Sequence, residues 1–226
     1  MKELISLVKE EPASEASEAR RGGRPPAGTD PQKRRQIMEG AGRVFTNLGF
    51  DAASMSDVAR EAQVSKATLY VYFQDKEHLF TAIYADRRDR NIGELIAMLD
   101  TAKPLEETLM AFGTDMVRRI SHPQVIAAQR IVIGVAERMP EIGREFFEAG
   151  AKRLVGAMTE FLDHHVAGGT LKIDNSFLAA AQFMELAQAT LFRPRLYAVA
   201  AEPPSEEEIR NTVASAVRVF LAAYRA

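Results

Sequence analysis

The sequence predicts an all-α protein with about nine helices. Apolar residues recur at helical spacing along most of the chain, and one such helical face carries Ile37, Ala41, Val44, Phe45 and Leu48. Residues that favour helix N-caps precede many of these stretches, and no run has the period of a β-strand. The chain has 226 residues, of which 46% are hydrophobic, which is enough for one large or two modest cores.

A capping residue precedes each of the first four predicted helices. These N-caps are Asp30, Ser54, Ser65 and Asp75. Pro31 suits the first helical position, and Gly49 suits the left-handed residue that ends the first helix. Asp57 follows Ser54 at the spacing of a capping box. The third helix is expected to end at Tyr72.

The rest of the chain is predicted to continue as one helix after another. Three of these helices open with a proline, namely Pro104, Pro123 and Pro140. The helix that starts at Pro140 is expected to extend to about His165. We expect a further helix over residues 175–199, with a kink at Pro194, and a final helix over residues 205–225 that begins with a capping box.

The charge of the chain is unevenly distributed. Lys and Arg total 29 against 31 Asp and Glu, yet residues 20–90 carry 13 basic and 9 acidic side chains. A basic segment in an acidic protein favours contact with a polyanion at that end. Residues 20–25 form an arm with the sequence RRGGRP, in which Arg24 is a candidate for contact with a minor groove or a phosphate. A tail that serves solubility alone is the alternative.

The sequence contains no pattern that indicates a metal site, a cofactor site or a catalytic site. There is no Cys, and the adjacent His164 and His165 cannot both face one metal from a regular helix. No P-loop, dinucleotide-binding turn or nucleophile motif is present. We therefore expect no metal, no cofactor and no enzymatic activity. The lack of a signal-peptide core and of an apolar run of ~20 residues favours a cytoplasmic protein without a membrane partner.

Residues 54–80 carry the most informative pattern. Two short capped helices are joined by a tight turn, and the preceding helix braces them. Such a unit presents its second helix to the major groove of DNA, which is about 12 Å wide. On a helical wheel that continues to the next residue, Leu69 and Phe73 share the face expected to anchor in the core, while Ala67 and Val71 occupy the opposite pole. From the residues alone, a DNA interface and an ordinary solvated surface are both open.

The same segment resembles the TetR/AcrR transcriptional regulators. Residues 64–73 are VSKATLYVYF and residues 74–80 are QDKEHLF, which follow the family signature in order; the resemblance covers about residues 31–85. It implies that the DNA-contacting positions are Ser54, Met55, Ser65, Lys66, Ala67, Thr68, Tyr70, Tyr72 and Lys76. Gln63 and Ala67 stand where many members have Gly. These departures leave DNA binding intact and leave the operator sequence open.

Beyond residue 95 the resemblance is weaker. Residues 131–142 and 146–150 are similar to regulators of the AefR/AcrR type. The resemblance implies a homodimer formed through residues 175–199 and 205–225, a palindromic operator, and release of DNA by a small, largely apolar ligand. The candidate ligand-binding residues are Phe112, Met116, Arg130, Phe147, Phe183 and Met184. Packing in the core, or a plain surface position for Arg130, is the alternative.

These observations divide the chain into three parts. We expect a flexible tail with a basic arm over residues 1–28, a helix-turn-helix DNA-binding domain over 29–75, and a ligand-binding and dimerisation domain over 76–226. The expected partners are double-stranded DNA, a second copy of the chain and an unidentified small molecule. Two other functions stay open: an all-helical small-molecule-binding protein or enzyme with a vestigial helix-turn-helix, and an architectural DNA-binding protein that senses nothing.

Overall fold

The structure, a computed structural model, describes residues 28–226, so the predicted basic arm with Arg24 lies outside the described residues. Over the described range the chain forms eleven α-helical segments. These are α1 (Pro31–Leu48), α2 (Met55–Glu61), α3 (Lys66–Tyr72), α4 (Lys76–Ala97), α5 (Leu105–Ile120), α6 (Pro123–Val135), α7 (Pro140–Phe147), α8 (Arg153–Ala167), α9 (Ser176–Ala187), α10 (Phe192–Leu196) and α11 (Glu206–Tyr224). A π-helical turn, Glu148–Lys152, joins α7 to α8, so these two segments form one continuous helix.

The predicted all-α fold is confirmed. Residues 28–226 contain no β-strand, and an isolated antiparallel bridge joins Leu171 to Arg225. None of the helices in that range is long and apolar enough to cross a membrane. The same residues hold no group of three or more His, Asp or Glu side chains placed to bind a metal ion.

Capping side chains fix where α1 to α4 and α11 begin, as predicted. The Ser54 hydroxyl accepts a hydrogen bond from the Asp57 N–H at 3.2 Å, and the Asp57 carboxylate accepts one from the Ser54 N–H at 3.2 Å. Ser205 and Glu208 form the same box at the start of α11. Gly49 has the predicted positive φ, 80°, but its ψ of 163° lies outside the left-handed helical region of an ordinary C-cap residue.

The two larger hydrophobic cores share the long helix α4. The first core lies among α1, α2, α3 and the start of α4, and its fully buried side chains include Ile37, Val58, Leu69 and Leu79. The second core lies among α5, α8, α9 and α11, and its fully buried side chains include Phe112, Met158 and Phe183. The C-terminal half of α4 contributes Ile92 and Leu95 to this second core. α4 therefore connects the two parts of the protein by packing in both cores.

The prediction of one helix over residues 175–199 is wrong. α9 ends at Ala187, and the chain passes through Thr190, whose φ is 65°, before α10 begins at Phe192. Pro194 lies in the first turn of α10, where a missing N–H leaves no hydrogen bond unmade, so it does not kink a longer helix. Because of this break, the described range has ten continuous helices rather than the predicted nine.

Candidate nucleic-acid interface

The turn between α2 and α3 is fixed by three features. The Val64 N–H donates to the Ala59 carbonyl oxygen at 3.0 Å, which closes the end of α2. Gln63 lies inside this loop with a φ of 53°. A residue with a side chain in this left-handed conformation is less stable than glycine by about 1 kcal/mol. The Gln36 amide donates to the Ala62 carbonyl oxygen at 2.7 Å and ties the turn to α1. α3 therefore leaves α2 at a fixed angle.

One side of α3 is anchored and the other is open to solvent. Leu69 is fully buried and Phe73 is 5% exposed, which confirms the predicted anchoring face. The exposed side chains of α3 are Lys66, Ala67, Tyr70 and Val71. Tyr70 and Val71 expose 53% and 52% of their surfaces, a large fraction for side chains of this apolar character. The structure thus exposes one side of α3, a short surface with a small apolar centre.

The remaining predicted contact residues of α2 and α3 also have structural roles. Ser54 and Ser65 are exposed N-caps, and the Ser65 hydroxyl accepts from the Thr68 N–H at 3.0 Å. The Thr68 hydroxyl lies 2.8 Å from that of Ser65, so one of its hydrogen-bonding positions is occupied. Met55 and Tyr72 are half-buried and pack against the first core, so part of each side chain faces solvent.

The ammonium group of Lys76 is directed at the loop that precedes α2. Its Nζ lies 2.7 Å, 3.3 Å and 3.0 Å from the carbonyl oxygens of Phe50, Asp51 and Ala53, and 4.4 Å from the centroid of the Phe50 ring. An ammonium group has three N–H donors, so these carbonyls match its capacity. Lys76 therefore positions the loop that leads to Ser54, a role that sequence reasoning missed. Phosphate contact by Lys76 stays a prediction.

The first described residue of the chain lies beside α3. A Cβ atom placed on Gly28 would be 3.2 Å from the Val71 Cγ1 atom and 3.2 Å from the Val71 carbonyl oxygen. The φ of Gly28 is 88°, a value that suits glycine. The described part of the chain therefore begins next to the exposed side of α3.

A cleft of 720 Å³ separates the first core from α5 and α6. On one side lie Phe45, Phe50 and Phe80, whose ring centroids are between 5.1 and 5.7 Å apart. The other side is formed by residues of α5, α6 and their connection, among them Asp115, Arg118, Arg119, His122, Val125, Ala127 and Ile131. Sequence reasoning missed this cleft because its two walls come from segments far apart in the chain.

Ion pairs engage both arginines on the α5 side of the cleft. The Arg119 side chain donates to Asp115 at 2.7 Å and to Glu94 at 2.8 Å. The Arg118 side chain donates to Glu206 at 2.7 Å and to Asp115 at 2.8 Å. The hydrogen bond between Arg118 and Glu206 raises the pKa of the guanidinium and lowers the pKa of the carboxyl, so both groups stay charged.

The predicted ligand-binding residues do not form one site in the structure. Four are buried in the second core: Phe112, Met116, Phe183 and Met184. Phe147 is exposed at the end of α7. Arg130 is exposed on α6, where it donates to the carbonyl oxygens of Arg195 and Leu196 beside a smaller cavity of 260 Å³. None of these six residues lines the 720 Å³ cleft.

Two parts of the chain match known protein families. Residues 37–83 match the family described as bacterial regulatory proteins, tetR family. Residues 107–226, which are more than half of the chain, match the domain described as AefR-like transcriptional repressor, C-terminal domain. The first match contains α2, α3 and the turn between them, and the second contains nearly all of α5 and every later helix.

Individual proteins that are similar in sequence or structure are also described as regulators. An HTH-type transcriptional regulator of Mycobacterium tuberculosis is 30% identical over 125 residues, which are 54% of this chain and 57% of that protein. The match thus spans little more than half of the relative's length. A TetR-family regulator from Mesorhizobium loti has a similar structure, with a TM-score of 0.76 and 25% identity over 86% of this chain and 98% of that chain. The flavonoid-responsive regulator FrrA gives a TM-score of 0.65 and 28% identity over 86% and 97% of the two chains. The chain therefore belongs to the TetR family of helix-turn-helix transcriptional regulators, and its C-terminal part is of the AefR-like type.

Proposed function

We propose that the protein is a homodimeric repressor that binds a palindromic operator and releases it when a small, largely apolar molecule binds. Residues 29–75 bind DNA in this proposal, and residues 76–226 bind the small molecule and form the dimer. The observation that supports it most directly is the exposed face of α3, which stands clear of the first core while Leu69 anchors the opposite face.

The exposed side chains of α3 suit the floor of a major groove. Ala67 and Val71 are small enough for close approach to base edges and favour the methyl groups of thymine. Lys66, at the first position of the helix, can reach the acceptor atoms of guanine. Tyr70 and Thr68 at the margins suit phosphate oxygens, as do the caps Ser54 and Ser65. Contacts of Met55, Tyr72 and Lys76 belong to the same proposal.

The basic arm is proposed to contact the minor groove next to the site of α3. Gly28 lies against Val71, so the arm starts close to the exposed face of α3. Arg24 lies four residues before Gly28, and a chain spans at most about 3.3–3.6 Å per residue, so the neighbouring groove is within its reach. Arginine side chains favour a narrow minor groove because its negative potential is enhanced.

The dimer is proposed to form through α9 and α11. These helices expose large apolar side chains, with Phe177 59%, Leu178 52% and Val219 52% exposed in the single chain. Apolar surface of this kind is typical of an interface between copies, and a two-fold axis brings equivalent helices together. The two copies of α3 would then contact half-sites roughly 34 Å apart, which gives a palindromic operator.

Release by a small molecule is proposed to act through α4. Because α4 contributes to both cores, a change in the C-terminal part alters the position of α3 relative to its copy. The similarity to FrrA, which is described as flavonoid-responsive, supports an effector of small size.

Selection of genomic DNA by the purified full-length protein, followed by footprinting of the selected fragments, tests this function. We expect salt-dependent protection of two half-sites related by a two-fold axis, with centres about 10 base pairs apart or a multiple of that spacing. Binding without sequence preference would indicate an architectural protein. No binding at low salt would leave the helix-turn-helix without a role on DNA and would overturn the proposal.

A further inference from the structure

We propose that the 720 Å³ cleft is the effector site and that it binds a neutral aromatic molecule of two or three rings carrying hydroxyl or carbonyl groups. This inference rests on the proposed function, because it takes for granted that a small molecule controls DNA binding. The cleft has the size of sites that enclose small molecules, which range from about 300 to 1,000 Å³.

The aromatic wall of the cleft favours a ring system. Phe45, Phe50 and Phe80 form a continuous cluster in which the Phe80 ring stands edge-on to the other two, at interplanar angles of 67° and 70°. Such a cluster offers both ring faces and ring edges to a further aromatic ring. Ile83, on the same side of the cleft, and Val125, on the other, add apolar surface. The wall is therefore suited to flat apolar groups rather than to sugars or phosphates.

The opposite wall favours polar groups without a net charge. Arg118 and Arg119 are already paired with the three carboxylates of Asp115, Glu94 and Glu206. An anionic ligand would compete with these carboxylates, and a cationic ligand would compete with the guanidinium groups. A hydroxyl or carbonyl group can share in such a network by hydrogen bonding without breaking an ion pair. With three carboxylates against two guanidinium groups, this wall disfavours an anionic ligand, and a neutral polar substituent leaves the ion pairs intact.

The position of the cleft connects an occupant to the DNA-binding surface. The Phe50 ring faces the cleft, packs under the Lys76 ammonium, and lies in the loop whose carbonyl oxygens bind that ammonium. This loop leads directly to Ser54, the cap of α2. A molecule that contacts Phe50 and Phe80 on one side and α6 on the other changes the position of the helix-turn-helix relative to the rest of the chain. Binding in the cleft and binding of DNA are therefore coupled.

A substitution that fills the cleft tests the site without weakening either core. Ala127 is an exposed residue of α6 that lines the cleft, so Ala127→Trp places an indole in it. Ile133→Trp is the matched control, because Ile133 lies on the same helix, is 59% exposed and does not line the cleft. The probes are 4-phenylphenol, which is neutral at pH 7, and biphenyl-4-carboxylate, which has a similar size and a negative charge. Binding to the full-length protein is measured by isothermal titration calorimetry.

We expect 4-phenylphenol to bind the wild type and the Ile133→Trp variant equally, and the Ala127→Trp variant about tenfold more weakly or not at all. We expect biphenyl-4-carboxylate to bind the wild type about tenfold more weakly than the phenol. Equal binding of the phenol to wild type and Ala127→Trp would place the effector elsewhere. Stronger binding of the carboxylate, or no binding of the phenol to the wild type, would overturn the ligand class. DNA binding measured without any probe tests the proposed function separately.

Discussion

The Nζ atom of Lys76 lies 2.7 Å from the carbonyl oxygen of Phe50 and 4.4 Å from the centroid of the Phe50 ring, so one side chain holds both the backbone and the aromatic group of the loop before α2. The ammonium donates to two further carbonyl oxygens of the same loop, those of Asp51 and Ala53. From the sequence alone, the position of this lysine at a helix N-terminus predicts contact with a phosphate. In the structure its ammonium N–H groups donate to carbonyl oxygens of the protein itself.

Replacing Lys76 by Ala should therefore lower the stability of the protein. The variant leaves the carbonyl oxygens of the loop without their donor, and hydrogen bonds to a charged group contribute about 1.5–3 kcal/mol. We expect a loss of that order in the free energy of unfolding, measured by urea denaturation. Lys152→Ala is the control, because Lys152 is exposed and makes a single surface ion pair. An unchanged stability together with weaker DNA binding would assign Lys76 to phosphate contact alone.

Two glycines of α1 should respond in opposite ways to substitution by alanine. A Cβ atom on Gly40 would lie 2.8 Å from the Cα of Ala62 and 2.9 Å from its N, whereas a Cβ on Gly42 meets nothing within 4 Å. We expect Gly40→Ala to lower the free energy of unfolding by about 1–3 kcal/mol, because α1 and α2 must separate. Gly42→Ala should raise it by up to about 1 kcal/mol through helix propensity. Equal effects of the two substitutions in urea denaturation would mean that α1 and α2 are not in close contact.

His165 should make the stability of the protein depend on pH. Burial, with a smaller contribution from the charge of His164, lowers the pKa of His165, and its Nε2 has no hydrogen-bond partner among the described residues. The unfolded chain, with a histidine pKa near 6.5, then binds more protons than the folded chain as the pH falls below that value. We expect the free energy of unfolding to decrease from pH 7 to pH 5.

Two substitutions check the source of this pH dependence. His165→Leu should flatten it, since the replacement cannot take up a proton and suits the buried position beside Phe161. His164→Gln should retain most of it, because His164 is exposed and contributes only the smaller electrostatic effect. If His165→Leu shows the same dependence as the wild type, another group is responsible.

A charge on the exposed face of α11 should dissociate the proposed dimer. Val219→Glu introduces a carboxylate into an apolar surface, where desolvation opposes association. We expect the variant to be monomeric in light scattering, to keep its helix content and to lose most of its operator affinity. Ile133→Glu on α6 is the control, since it adds the same charge at an exposed apolar residue outside α9 and α11. A dimeric Val219→Glu variant would show that the interface lies elsewhere.

The local features of the fold could be predicted because single residues determine them. Ser54, Ser65 and Ser205 cap the helices that follow, and the positions of Leu69 and Phe73 one turn apart predict the anchored side of α3. These features need only neighbouring residues, so the sequence pattern is sufficient to place them.

Features that depend on distant residues could not be predicted in the same way. The break between α9 and α10 passes through Thr190 in a left-handed conformation that a β-branched residue disfavours, so nothing local indicates it. The cleft brings Phe50 next to residues of α5 and α6, and no periodicity within one helix shows that they meet. The sequence predicts Phe112 and Phe183 as ligand-binding residues, but long-range packing buries both side chains in the second core.

The most direct measurement compares DNA binding by the wild type and by Ala67→Glu. Ala67 is exposed at the second position of α3, where a glutamate is favourable to the helix, so the variant should remain folded. If α3 enters the major groove, the added carboxylate lies against base edges and phosphates. Fluorescence anisotropy with the selected operator should then show an affinity for DNA that is reduced ~100-fold or more. The melting temperature of the variant should be unchanged. Ala111→Glu, at an exposed position of α5, should bind like the wild type. Wild-type affinity of the Ala67→Glu variant would contradict the account, because it would show that the exposed face of α3 does not contact DNA.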